Sequence, residues 1–170
     1  MLDTQSWKRT ATDAVLSGAF AALASASALA WRGRHDAGDA AAPINGPSQW
    51  IWGRAAPSAR GFSVKHTVVG YFTHHLAATF WAILFERTRG RVGHPAAVAL
   101  GTAAVANVVD YLFTPKRLQP GYERRLSKRS LALVYGAFAL GLAASTAVRR
   151  PRAGGTPALR RPATRTGSRR

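Results

Sequence analysis

The chain has 170 residues, room for one domain. It carries 24 Lys and Arg against 7 Asp and Glu, a formal net charge of +17, yet 47% of its residues are apolar. It has no cysteine, which excludes disulfides and thiolate chemistry and leaves any zinc site without sulfur ligands.

The charge and the apolarity coexist because they are segregated. Every Lys and Arg lies outside four apolar blocks. A soluble amphipathic helix would instead carry charges along one face. The first block is residues 13–31, which at about 1.5 Å rise per residue spans roughly 28 Å, close to the ~30 Å hydrocarbon layer of a bilayer. Lys8 and Arg9 precede it, and Trp31 and Arg32 close it, an aromatic and a cation suited to the headgroup region. The same start has features of a secretory signal, since Lys8 and Arg9 lead into an apolar run ending Ala28-Leu29-Ala30. The run exceeds the ~7–15 residues of a signal core, and cleavage there would leave three spans.

Residues 32–65 contain Pro43, Gly46, Pro47 and Pro57, so they do not form one helix. Inside lies INGPSQWIWG, with Trp50 and Trp52 two apart. Two readings stand: an interfacial or re-entrant piece with both indoles at headgroup level, or a loop folded onto the bundle. The second block, residues 66–86, ends against Arg87, Arg89 and Arg91, and a short turn leads to the third, residues 95–113. Pro95 fits a helix start because its missing N–H has no helical partner there. These two blocks therefore predict an antiparallel hairpin. Residues 114–129 are polar and basic; the fourth block is residues 130–148.

From residue 149 the chain is mostly Arg, Gly, Pro, Thr and Ala without apolar periodicity, which predicts a disordered basic tail over 149–170. The expected architecture is all-α, a four-helix transmembrane bundle over 13–148 with a central antiparallel hairpin, preceded by a cytoplasmic segment over 1–12. The tail's cations point to the bilayer as partner, through anionic lipid. Few aromatics accompany them, so nucleic acid is not expected. Orientation is nearly a tie, with 13 Lys and Arg on the side of the termini and 11 on the other.

Small residues recur at helical spacing: Gly18 with Ala22, Ala137 with Gly141, Gly141 with Ser145. In lipid, small side chains let helix backbones approach closely, so these faces are expected to be helix contacts, with the first and fourth helices together.

Ionisable and amide side chains inside spans are costly and so informative. Asp13 is placed at the first turn of its helix, where the dipole favours an anion, and Glu86 beside Arg87 reads as snorkelling. His74 and His75 sit near the middle of the second span, with Asn107 and Asp110 on the third. An antiparallel return brings Asp110 to within ~6 Å of the height of His74. The expectation is a polar cluster of His74 or His75 with Asn107 and Asp110. Three uses stand for it: interhelical glue, a proton or solute site, or a haem site. A bis-His haem would need a second copy, because His66, His74 and His75 all lie on one block. Adjacent histidines also lack the i, i+4 spacing of helical zinc ligands. No metal, cofactor or catalytic residue is assigned, and no G-x-S-x-G, P-loop, H-E-x-x-H or dinucleotide fingerprint occurs.

The strings INGPSQWIWG, HTVVGYFTHHLAATFWAILFER and VVDYLFTPKRLQPGYERRLSKRSLALVYGAFALGLA, spanning residues 44–144, resemble a group of small uncharacterised bacterial inner-membrane proteins. The resemblance implies residence in a bacterial inner membrane and brings no activity with it. The sequence thus reads as a non-enzymatic multi-pass membrane component whose specific role is left open. Small proton or solute handling through the His/Asp cluster is the first alternative, and a b-type haem-binding dimer the second. After high-speed centrifugation of a detergent-free lysate, the protein is expected in the pellet and released only by detergent. Recovery as a soluble monomer would contradict the membrane reading.

Overall fold

The computed structural model describes residues 4–149, with side chains from residue 7 onward. The tail read as disordered lies, from residue 150, outside the described residues, as do the first three residues. Four long helices make up the bundle: α1 Thr4–Ala37, α2 Val64–Val92, α3 Pro95–Phe113 and α4 Lys128–Val148. Each is long and apolar enough to cross a bilayer, and no strand occurs among the described residues. The chain is a multi-pass, all-α integral membrane protein.

The helices form a ring in which α1 touches α2 and α4, and α3 touches the same two. Gly93, in the left-handed region at φ 72°, ends α2, and Pro95 starts α3, so the hairpin turn is made of a helix stop and a helix start. α1 runs well past the 13–31 expected. At its start Trp7 lies under the Arg87 guanidinium, 3.7 Å from the ring centre, and at its end Arg32 pairs with Asp36 one turn on, at 2.7 Å. Gly38, at φ 69°, then stops it. Asp13 accordingly lies in the third turn of α1, not the first, and the dipole argument for it lapses.

The interior is built from small residues. Ala21, Ala22, Ala78, Ala82, Ala99 and Ala139 are buried together, whereas Leu23, Phe72, Phe80, Leu100 and Leu140 face outward. A water-soluble bundle would do the reverse. In hydrocarbon, large apolar groups gain nothing by being hidden, and helices associate by close backbone approach. Gly18 lies against Thr79 of α2, where an added Cβ would stand 2.6 Å from its Cα. Gly141 lies against Phe20 and Ala21 of α1, where it would stand 2.5 Å from the Phe20 carbonyl oxygen. Ala22 is fully buried and Ala137 half-buried, and Ser145 Oγ meets Ser17 Oγ at 2.9 Å.

Both ends of this seam are fastened by charge. At the end holding the hairpin turn, Glu86 is buried rather than snorkelling. Arg149 holds it bidentately, Nη1 to Oε2 at 2.9 Å and Nη2 to Oε1 at 2.8 Å. Arg89 Nε donates to Oε2 at 2.7 Å, and Ser17 donates to Oε1. Arg149 also donates to the Asp13 carbonyl at 2.9 Å. The anion is retained in the bundle because each carboxylate oxygen has cationic donors, which snorkelling would forfeit. At the other end, Asp36 of α1 accepts from Ser127 N–H at 2.9 Å and Ser130 Oγ at 2.5 Å, at the start of α4.

Residues 38–63 fold onto that second end as a lid of short helical turns, Ala42–Asn45, Gly46–Ser48, Gln49–Trp52 and Ala56–Ser58. Asn45, fully buried, donates to the Ala59 and Gly61 carbonyls and accepts from Thr67 Oγ1 at 2.7 Å. Gly70 of α2 lies so close to the Ile44 carbonyl that no side chain fits. Residues 114–127, the second long loop (hereafter the second loop), dock on the lid: Trp50 Nε1 donates to the Leu118 carbonyl, Gln49 to the Gln119 carbonyl, and Arg125 Nε to the Pro57 carbonyl. The faces of Trp50 and Trp52 stay exposed, as does Trp31.

Two glycines five residues apart on α4 test the close-approach argument. Gly141→Ala is expected to destabilise the bundle by roughly 1–3 kcal/mol, because α1 must move away. Gly136→Ala, where an added Cβ meets nothing within 4 Å, is expected to be neutral or to stabilise by up to ~1 kcal/mol. Thermal unfolding in detergent, followed by circular dichroism, reads both; equal losses would contradict the packing.

Candidate functional site

Beneath the lid, all four helices enclose a half-open chamber of about 60 Å³. One water needs ~10–15 Å³, so the chamber has room for a few water-sized molecules beside its polar groups. Ser25 of α1, His74 of α2, Asp110 of α3 and Tyr135 of α4 reach it from the sides, and Tyr122 from the second loop. Trp50, Leu118 and Pro120 line the lid side.

His74 is held at both ring nitrogens: Nε2 lies 2.9 Å from Ser25 Oγ, and Nδ1 lies 2.8 Å from Tyr122 Oη. The protons can be placed by counting donors. Ser25 has one hydroxyl proton, and its Oγ lies 2.6 Å from the Ala21 carbonyl, which only accepts. Ser25 therefore accepts from His74 Nε2–H, and Nδ1 accepts from the Tyr122 hydroxyl. His74 is neutral in this arrangement. The serine proton is committed to the helix backbone, so Ser25 and His74 do not form a nucleophile–base pair despite their distance. Tyr122 is buried, and burial pushes its hydroxyl well above the usual tyrosine range, which keeps it a donor.

Asp110 accepts from Tyr135 Oη at 2.6 Å. Among the described residues it has no cationic partner. Successive helical residues point about 100° apart. Ala106 and Asp110 share the chamber face, while Asn107 and Tyr111 share the next face, which opens between α3 and α4. The structure thus brings His74 and Asp110 to one chamber, each bonded to a tyrosine, and turns Asn107 elsewhere. His75 is rotated away; its ring stands 5.9 Å from Tyr71.

Tyr122, Tyr135 and Ser25 were not singled out from the sequence. The signal for Tyr135 was present, since a tyrosine inside an apolar span needs a partner for its hydroxyl. Nothing local marked Tyr122, which arrives from a loop far along the chain.

The histidines fit a haem poorly. Both nitrogens of His74 are used, His66 Nδ1 lies 3.1 Å from Ser48 Oγ in the lid, and a porphyrin would not enter a chamber of this size. No cluster of three or more metal-ligating side chains occurs among the described residues. Comparison with protein-family models, curated proteins and solved structures gives no match.

The lid over the chamber carries its own pH dependence. Asp39 accepts from Gly61 N–H at 2.6 Å and Ala41 N–H at 2.9 Å, joining the two ends of the lid. The Gly61 bond foremost, with the Ala41 bond and Arg60 adding to it, holds the carboxyl below its ordinary value, against a smaller opposing effect of burial. The folded pKa is depressed, so this stabilisation is complete above the ordinary carboxylate range near ~4 and is lost as pH falls through the lowered value. Lid tryptophan emission is expected to shift between about pH 7 and about pH 3 in the wild type. In Asp39→Asn the acid-side shift is expected to be reduced and the shifted emission already present at neutral pH. Identical titrations would show that Asp39 does not hold the lid.

Proposed function

We propose that this protein is a small, non-enzymatic proton- or solute-handling component of a bacterial inner membrane, and that the chamber between His74 and Asp110 is where the proton or solute is held. The observation that carries this reading is the space itself. Polar side chains serving only as glue pair with one another across the helix interface and close it. Here two titratable groups on different helices border a common cavity whose remaining lining is mostly apolar, and Asp110 lacks a counter-cation at a depth where an anion is costly. A proton or a small hydrogen-bonding solute supplies what that site lacks. The bacterial inner-membrane assignment rests on the resemblance of residues 44–144 to that protein group.

Proteoliposomes with an internal pH indicator test it. Wild-type protein is expected to carry a pH-driven flux, reduced at least tenfold by His74→Ala and by Asp110→Asn. Flux equal to empty liposomes, or unchanged in both variants, would overturn the proposal. Lower thermal stability in the variants without any change in flux would identify the pairs as glue.

A further inference from the structure

A second cavity, separate from the chamber, lies on the outer face between α3 and α4. It is a groove of about 590 Å³, a size that holds small-molecule ligands elsewhere. Its floor is made of small side chains on both helices, Ala103 and Ala104 on α3, Ala132 and Gly136 on α4, with Leu100 and Leu131 beside them. At Gly136 there is open space, so the groove is a real gap in the outer surface and not a helix contact.

One end of the groove is polar. Lys128, the first residue of α4, lines it together with Tyr111 and Asn107. Lys128 forms no ion pair among the described residues. The Tyr111 hydroxyl is buried without a hydrogen bond of normal geometry, and the adjacent Tyr135 hydroxyl gives its proton to Asp110. The loop leading to Lys128 adds Lys116, Arg117, Arg124 and Arg125 against the single acid Glu123.

The length of the groove limits what occupies it. Lys128 to Gly136 covers roughly 12 Å and Leu100 to Tyr111 roughly 16 Å at about 1.5 Å per residue. One leaflet of hydrocarbon is roughly 15 Å deep, half of the ~30 Å core. The groove therefore runs from the helix end, where headgroups lie, to about the midplane, with its cation at the headgroup end and its apolar floor at acyl depth.

We infer that the α3–α4 groove is a binding site for one anionic phospholipid, with an acyl chain along Ala104, Ala132 and Gly136 and its headgroup phosphate at Lys128. Asn107 and the Tyr111 side chain border the groove between the two. This site does not depend on the chamber reading.

Native mass spectrometry of the full-length protein from mixed micelles tests this, with phosphatidylglycerol and phosphatidylcholine as matched probes. Wild-type protein is expected to retain one phosphatidylglycerol in preference to phosphatidylcholine. Lys128→Gln is expected to lower that preference roughly fivefold, the ~1 kcal/mol of one cation at an anionic surface converted at ~1.4 kcal/mol per tenfold. Gly136→Leu fills the groove and is expected to reduce retention of both lipids. Should Gly136→Leu fail to fold, Ala132→Leu fills the same space. A wild type that does not distinguish the two lipids overturns the inference, as does a folded variant of either kind that retains lipid as the wild type does.

Discussion

Helix α1 is gripped at two points by carboxylates, and the rest of the bundle is arranged around that grip. At one end Glu86 of α2 is shared by Arg149, Arg89 and Ser17, so three helices converge on a single anion. At the other, Asp36 of α1 accepts from the start of α4. Between them the backbones of α1 and α4 come close enough at Gly141 to exclude a side chain. Dispersion over so short a seam is only modestly directional, and it would allow the helices to slide or rotate. The charged ends fix register and rotation, at the desolvation cost that any buried ion pair carries. Removing one partner would strand the other in a medium that cannot solvate it, which is why such pairs act as fasteners.

The span pattern was legible because hydrocarbon imposes one rule on every residue it touches. The positions of Lys and Arg alone marked four blocks, and the structure has four long helices over them. The ends were less legible. α1 continues through Lys8, Arg9 and Arg32, since a helix does not stop where the bilayer does, and the contacts that prolong it pair the flanking cations Arg87 and Arg32 with Trp7 and Asp36. Glu86 was misread for a related reason. Next to Arg87 it resembled an interfacial acid, but its partners are Arg89 one turn on and Arg149 some sixty residues later. Sequence neighbours say little about which cation an acid meets across a bundle.

The polar face of α3 shows the same limit at finer grain. Asn107 and Asp110 are three apart and were expected in one cluster. A rotation of about 60° separates them, enough to place one in the chamber and the other on the outer groove. The tyrosines decide the chemistry of the chamber, and they could not be assigned from spacing. Tyr122 reaches His74 only because the second loop folds back on the lid, an arrangement that depends on Gln49, Trp50 and Arg125 finding backbone carbonyls across it.

That arrangement bears on how anything would reach the chamber. The helices flanking it are held by charged pairs and by glycine contacts that leave no slack. The lid and second loop are held to each other by hydrogen bonds from side chains to backbone carbonyls, one of them, Trp50 to Leu118, exposed. Opening free energies within one protein scale with buried apolar contact and with how many such bonds are shielded from water, so the loops form the weaker unit. Trp50 belongs to both: its ring lines the chamber and its indole N–H fastens the lid to Leu118. The Trp50–Leu118 bond is therefore the least shielded of those that fasten the cover of the chamber. Breaking it frees the carbonyl and the indole to solvent at small cost, whereas parting α1 from α4 would expose Glu86 and Arg149 to hydrocarbon.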